Sequence, residues 1–161
     1  MLPELKAWLE GATRVVVLGV GSRIRRDDAV GLVLVDRLKG RVPSLVELFD
    51  CETVPESFTG PIRNLAPSHL LIIDAAELGL NPGEARIINL ESILEARFST
   101  HALSLSVLSE YIASETGAKV LLIGVQPKDL QFGVGMTPEL THAAERLSQF
   151  ILSVLLEVLG T

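Results

Sequence analysis

The chain has 161 residues, 48% of them hydrophobic, which suits one globular domain with a single substantial core. Its 14 Lys and Arg residues against 20 Asp and Glu give a formal net charge of -6, which argues against a nucleic-acid surface because phosphate binding relies on cations. The single cysteine, Cys51, excludes an internal disulfide and a cysteine-based zinc cluster, and it fits a reducing compartment.

The chain opens on a short amphipathic segment. Residues 3–10 predict a helix with Leu5, Trp8 and Leu9 on one side and Gly11 as its stop. The segment lacks the basic region and the long apolar stretch of a secretory signal, and no apolar run approaches the roughly 18 residues that span a bilayer. We therefore expect a cytoplasmic protein without membrane insertion, with residues 1–12 as an N-terminal helical extension.

Apolar runs then alternate with amphipathic segments along the chain. Strands are predicted where β-branched and apolar residues run between turn residues, at 14–20, 45–50, 69–74, 84–88 and 119–125. Helices are predicted where apolar residues recur at helical spacing, at 27–38, 55–65, 101–116 and from 137 onward. This alternation predicts an α/β fold in a single domain over residues 1–161. Its architecture is a three-layer, doubly wound, mostly parallel sheet of about five strands with helices on both faces.

Turn and helix-start residues refine the predicted boundaries. The Gly60-Pro61 pair is expected to break the helix at 55–65. Thr137 before Pro138 predicts a helix start with a capping hydroxyl and a proline in the first turn. The helix that follows has an apolar stripe that indicates a core-facing surface, made of Leu140, Ala143, Ala144, Leu147, Phe150, Ile151, Val154, Leu155 and Val158.

Acidic residues mark the carboxyl ends of two predicted strands. Asp27 and Asp28 lie where the first strand gives way to an apolar helix, and Asp74 closes the strand at 69–74. This rim of an α/β sheet is where ligands usually bind. Each position also has an ordinary explanation, since a carboxylate at a helix start caps the helix or answers its dipole, and Asp74 can accept bonds from turn amides.

A histidine is predicted at the same edge of the sheet. His101 opens the helix at 101–116, after Ser99 and Thr100. Two carboxylates and one imidazole suit a borderline divalent ion such as zinc, nickel, manganese or iron. Such an ion polarises a carbonyl or lowers the pKa of a coordinated water from about 16 to about 7. The acidic pair, Asp74 and His101 therefore predict a divalent-metal site suited to hydrolysis.

A nucleotide site is the main competing interpretation of the first strand. Gly19-Val20-Gly21 follows that strand, and Asp50 ends the second strand as a ribose-binding acid would. The dinucleotide fingerprint fails at its third glycine, because position 24 is Ile. A tight glycine turn after a buried strand is therefore the better prediction.

Several charged residues near these elements carry two interpretations each. Arg23, Arg25 and Arg26 lie beside the acidic pair, where they either compensate its charge or grip an acidic partner. Together with Trp8 they also support an alternative function, a non-catalytic binding module.

The remaining histidines and two glutamates have ordinary explanations. His69 and His142 are expected to be surface or capping residues. Glu77 and Glu84 flank the predicted turn near Asp74. They are at most residues that support the metal ligands, and solvated loop residues are the default expectation.

Four stretches of the chain resemble the nickel-iron hydrogenase maturation endopeptidases. They are residues 21–31, 74–84, 100–105 and the Gly-Val-Gln-Pro sequence at 124–127, and the similarity extends over most of residues 14–150. The second stretch, with its Leu-Gly-Leu-Asn-Pro-Gly-Glu order, is the most specific.

The resemblance implies both a ligand set and a task. It implies that Asp28, Asp74 and His101 are the metal ligands and catalytic residues, with Asp27 as a neighbour. It also implies an endopeptidase that removes the C-terminal extension of a hydrogenase large-subunit precursor after nickel insertion. The divalent metal is then nickel presented by this precursor, for which zinc or cadmium could substitute in a crystal. A non-catalytic binding module or chaperone for the metal-loaded large subunit is the alternative.

The chain departs from the family pattern at three positions. The family usually has Asn where Ser22 stands, Gly near Arg26 and Gly at Ala29. Ser22 keeps a hydroxyl for turn bonding, Ala29 suits a helical backbone, and Arg26 predicts that no positive φ is needed there. These changes leave the implied ligands in place and bear on precursor specificity.

Overall fold

The computed structural model describes residues 1–95 and 101–160, so Ser99 and Thr100 lie outside the described residues. Five strands form one sheet: β1 (Val15–Gly19), β2 (Val46–Asp50), β3 (His69–Ala75), β4 (Ala85–Asn89) and β5 (Lys119–Val125). The described helices are α1 (Leu2–Leu9), α2 (Val30–Leu38), α3 (Thr59–Leu65), α4 (Leu90–Glu95), α5 (Ala102–Thr116) and α6 (Pro138–Leu159). Single 3-10 turns, Arg26–Ala29 and Pro55–Phe58, lead into α2 and α3.

The sheet order is β2-β1-β3-β5-β4, and only the edge strand β4 runs antiparallel to its neighbour. This confirms the predicted doubly wound, mostly parallel sheet. β2 follows β1 in the chain and pairs with it on one side. β3 comes next in the chain and pairs with β1 on its opposite side. The carboxyl ends of β1 and β3 therefore flank the point where the winding reverses, which is the usual ligand position in such sheets.

Two apolar cores cover the two faces of the sheet. On one face α1, α2 and α6 pack against alternate residues of the strands, including Val15, Val17, Leu71 and Ile73. On the other face α3, α4 and α5 pack against the residues between them, including Val16, Leu18, Leu70 and Ile72. Because both faces are covered, β1 and β3 are buried along their whole length, which explains the apolar runs at residues 15–18 and 70–73.

The N-terminal helix is built into the first of these cores. Leu5 and Leu9 of α1 are fully buried there, and Trp8 is half-buried with its ring edge-on to His69. Within the described part of the chain, no helix has the length and apolarity that crossing a bilayer requires.

Two predicted helix boundaries differ from the structure. The helix predicted from residue 27 begins as a 3-10 turn, and α2 starts only at Val30. The Gly60-Pro61 pair does not break a helix but lies in the first turn of α3, where a proline is tolerated because its missing N–H would have no intrahelical acceptor. The short helix α4 was not predicted, since it buries only Ile93.

Candidate active site

Asp28, Asp74 and His101 come together at the point where the winding of the sheet reverses. Asp28 lies in the 3-10 turn after β1, Asp74 lies near the end of β3, and His101 immediately precedes α5. One oxygen or nitrogen atom from each side chain lies within 4.8 Å of the others. Two ligands on opposite sides of an ion with bonds of about 2.0–2.2 Å are about 4 Å apart, so the three side chains would need to close by less than about 1 Å to share one divalent ion.

Glycines allow the two aspartates to approach each other. A Cβ on Gly31 would lie 2.2 Å from the carbonyl oxygen of Ile73, so the start of α2 can sit directly on β3 only without a side chain there. A Cβ on Gly21 would lie 2.0 Å from the carbonyl oxygen of Asp28. The glycine turn after β1 therefore allows close packing around Asp28. This agrees with the prediction of a tight glycine turn in place of a nucleotide site.

Asp28 is fully buried, and neither carboxylate oxygen has a hydrogen-bond partner among the described residues. Its nearest cationic groups are Nε2 of His101 and a guanidinium nitrogen of Arg25, each 3.9 Å from Oδ2. A buried carboxylate is costly unless it is hydrogen-bonded, paired or bound to a metal. With an oxygen and nitrogen donor set around it, this carboxylate fits a divalent ion.

The side chains of Asp74 and His101 are hydrogen-bonded to each other. Oδ1 of Asp74 accepts a bond from the backbone N–H of Ala75 at 2.9 Å, and its Oδ2 lies 3.2 Å from Nδ1 of His101. Burial lowers the pKa of His101, but the bond to Asp74 and the charges of Asp74 and Asp28 outweigh it and hold that pKa above its usual value. The imidazole thus sits between two carboxylates and has 12% of its surface exposed, whereas both carboxylates are covered.

Asp27 is also fully buried, but its environment is the opposite of that of Asp28. Its carboxylate accepts backbone N–H bonds from Lys128 and Asp129 at 2.9 Å and from Thr137 at 2.8 Å. The Thr137 hydroxyl was predicted to cap α6. It instead lies 3.0 Å from both oxygens of Asp27 and donates to that carboxylate. Asp27 therefore ties the loop after β5 and the start of α6 to the turn that carries Asp28.

The three arginines beside the acidic pair lie against acidic groups. Arg23 contacts Asp36 and Asp50, and Arg26 lies 3.5 Å from Asp129. These contacts agree with the interpretation that the arginines compensate the acidic charge. Asp50 forms an ion pair with Arg23, which does not favour its assignment as a ribose-binding acid.

The prediction that Arg26 needs no positive φ is wrong. Its φ is +44°, in the left-handed region that favours glycine. In this turn the Arg26 N–H donates to the carbonyl oxygen of Gly133 at 3.1 Å. The glycine that the family usually has near this position was the available signal.

His69 was predicted to be a surface or capping residue, but it is buried. It is 3% exposed, its Nε2 donates to the carbonyl oxygen of Trp8 at 2.8 Å, and Nδ1 lies 2.8 Å from the Ser68 hydroxyl. It is a buried structural residue that joins α1 to β3. His142 is exposed on α6, as predicted.

The other residues weighed from the sequence lie outside the cluster. Glu77 and Glu84 are exposed and accept bonds from Gln126 and Asn81, respectively. Cys51 is buried beyond the end of β2, where burial and the charges of Asp50 and Glu56 raise the pKa of its thiol to about 12. At neutral pH it is therefore a thiol and not a nucleophilic thiolate.

The chain is similar to known proteins over most of its length. The HycI family model, described as hydrogenase maturation protease, matches residues 32–154, a range that includes Asp74 and His101 and begins shortly after Asp28. Hydrogenase 3 maturation protease of Escherichia coli K12 is 34% identical over 135 residues, which cover 83% of this chain and 86% of the relative.

Solved structures give the same result. The crystal structure of a NiFe hydrogenase maturation protease HycI from Thermococcus kodakarensis KOD1 has a TM-score of 0.86 and 33% identity, covering 94% of this chain and 98% of the other. The hydrogenase maturating endopeptidase HybD from E. coli has a TM-score of 0.77 and 30% identity, covering 89% and 93%.

Proposed function

The chain belongs to the hydrogenase maturation protease family, and we propose that it removes the C-terminal extension of a nickel-iron hydrogenase large-subunit precursor after nickel insertion. The observation that carries the proposal is Asp28, a fully buried carboxylate with no hydrogen-bond partner among the described residues, within ligand spacing of Asp74 and His101. Such a group is retained for what it binds rather than for stability.

In this proposal the metal is part of the substrate. Asp28, Asp74 and His101 bind the nickel that the precursor already holds, which brings the adjacent peptide bond to the rim of the sheet. The imidazole of His101 is the most accessible of the three side chains, and the two carboxylates lie beneath it. The hydrogen bond that Nδ1 of His101 donates to Oδ2 of Asp74 fixes the ring orientation, in the way that carboxylates orient metal-binding histidines.

Hydrolysis then needs a water beside the scissile carbonyl. The oxygen of the water adds to the carbonyl carbon, the C–N bond breaks, and the released amine takes a proton. Nickel supplies Lewis acidity for this step. The chain's own contribution is to hold the three proposed ligands together in a low-dielectric position at the rim of the sheet.

Cleavage of a nickel-loaded large-subunit precursor tests the proposal. The wild-type protein should shorten the precursor, whereas Asp28→Asn and His101→Ala should leave it intact, and His142→Ala on exposed α6 is the matched control. A precursor without nickel should remain uncut. Normal processing by either site variant would rule out the proposed site, and tight binding by the wild-type protein without turnover would favour the non-catalytic binding module.

A further inference from the structure

Three large apolar side chains beside the candidate site are exposed to solvent. Ile24, Phe132 and Val134 have 57%, 79% and 85% of their surface accessible. Their backbones lie side by side, because the N–H of Gly133 donates to the carbonyl oxygen of Ile24 at 2.9 Å. We call these three exposed residues, Ile24, Phe132 and Val134, the apolar rim.

The apolar rim is held in place from below. Asp27 binds the loop at Lys128 and Asp129, and the backbone N–H of Asp27 donates to the carbonyl oxygen of Asp129 at 3.0 Å. Nε of Arg25 donates to the carbonyl oxygen of Leu130 at 3.2 Å. The loop tip is therefore tied to the turn that carries Asp28, and its side chains are presented by an ordered backbone rather than by a loose loop.

Charges around the apolar rim are largely neutralised. Arg26 lies 3.5 Å from Asp129, and Lys128 is paired with Glu139. What the surface offers to a partner is thus apolar area rather than net charge. This favours an apolar protein surface over nucleic acid or an acidic peptide, each of which would need unpaired cations.

The apolar rim is joined to the candidate site through Arg25. Its Nε donates to the carbonyl oxygen of Leu130, and its guanidinium lies 3.9 Å from Oδ2 of Asp28. A further exposed apolar residue, Leu103 at 73%, follows His101 at the start of α5. Exposed apolar area concentrated around a site marks an interaction surface, whereas single scattered residues need no explanation.

We propose that the apolar rim docks an apolar patch on the body of the large-subunit precursor and thereby sets where the precursor's metal meets Asp28, Asp74 and His101. This rests on the proposed function. Docking of this kind acts on substrate binding and leaves the bond-breaking step unchanged.

Steady-state cleavage of the nickel-loaded precursor separates these effects. The double variant Phe132→Ser/Val134→Ser should raise KM about tenfold or more with kcat within about twofold, because the lost contact is made equally in the bound substrate and in the transition state. Leu156→Ser is the matched control, since Leu156 is 46% exposed on the last turns of α6 and should leave both constants unchanged. Ile24→Ser provides the same test if the double variant does not fold.

The possible outcomes distinguish the two proposals. Wild-type kinetics in both Phe132→Ser/Val134→Ser and Ile24→Ser would overturn the docking surface and leave the proposed function intact. Failure of the wild-type protein to cut the precursor would overturn the proposed function itself. Sedimentation of the purified protein adds a third arm: a dimer that the double variant abolishes would assign the apolar rim to self-association and overturn precursor docking.

Discussion

Asp27 and Asp28 are adjacent in the chain and equally buried, yet they occupy opposite environments. The carboxylate of Asp27 accepts three backbone N–H bonds and contacts the hydroxyl of Thr137, whereas that of Asp28 has no hydrogen bond among the described residues. Burial alone therefore does not separate a structural carboxylate from a candidate metal ligand. The number of hydrogen-bonded oxygens does, because a buried polar group without hydrogen bonds costs stability that the fold must recover elsewhere.

The largest expected effect is the loss of cleavage in Asp28→Asn. Removing one of the three proposed ligands should reduce processing of the nickel-loaded precursor by more than about 100-fold, since the metal would lose a charged oxygen donor. The free energy of unfolding should stay within about 1 kcal/mol of the wild-type value, because no hydrogen bond to the described residues is lost. Urea denaturation beside the cleavage assay checks both, and a strongly destabilised variant would contradict the contrast with Asp27.

Asp27→Ala, in contrast to Asp28→Asn, should mainly reduce the stability of the fold. It leaves the N–H groups of Lys128, Asp129 and Thr137 without their acceptor, so unfolding free energy should fall by about 3–5 kcal/mol. Asp27→Asn keeps one acceptor oxygen and should lose about half as much. Denaturant titration measures the loss, and an Asp27→Ala protein as stable as the wild type would refute the structural role.

The buried histidines extend the comparison to pH. Burial lowers the pKa of His69 below its usual value, despite the bond to Trp8, so its stabilising effect is complete above about pH 6.5 and declines as the pH falls toward its folded-state pKa. His101 has a raised pKa, so its effect is present below about pH 6.5 and is lost as the pH rises through its folded-state pKa.

NMR titration of the two imidazoles in the metal-free protein should place their midpoints on opposite sides of about pH 6.5. His69→Gln should remove the part of the acid-side loss of stability that His69 causes. Two midpoints on the same side would show that the two environments do not differ as described.

The smallest expected effect is at Arg26. Arg26→Gly relieves a left-handed backbone at φ +44°, which should add about 1 kcal/mol of stability. The lost contact with Asp129 is solvent-exposed and offsets this by about 0–1 kcal/mol. Thermal unfolding should therefore show an unchanged or slightly raised midpoint, and a marked fall would mean that the side chain contributes more than its geometry indicates.

Much of the sheet followed from the sequence because its signals are local. β5 was predicted at residues 119–125 and is found at Lys119–Val125. A parallel strand that is buried on both faces has a nearly continuous apolar sequence, which makes it easy to recognise. The meeting of the acidic pair with Asp74 also followed, because carboxyl ends of neighbouring parallel strands share one edge. His101 was placed there by its position at a helix start, and Asp28 was distinguished from Asp27 only by the family resemblance. Their role as ligands remains a prediction.

What sequence reasoning missed depends on contacts between distant parts of the chain. Asp27 was assigned only as a neighbour because the amides of Lys128 and Asp129 lie more than a hundred positions away, with separations of 101 and 102 residues. The hydroxyl of Thr137 was assigned to its own helix for the same reason. The left-handed turn at Arg26 was missed because residue type alone argued against it.

The carboxylate of Asp27 also couples regions that would otherwise open separately. The amide hydrogens of Lys128, Asp129 and Thr137 all end on it, and Thr137 begins the longest described helix. Such amides form one cooperative unit, so they should exchange with deuterium at a common rate set by a single opening event. Loosening of the turn at Asp27 would then be registered in the first turn of α6, which gives solution experiments a remote reporter of the state of the rim.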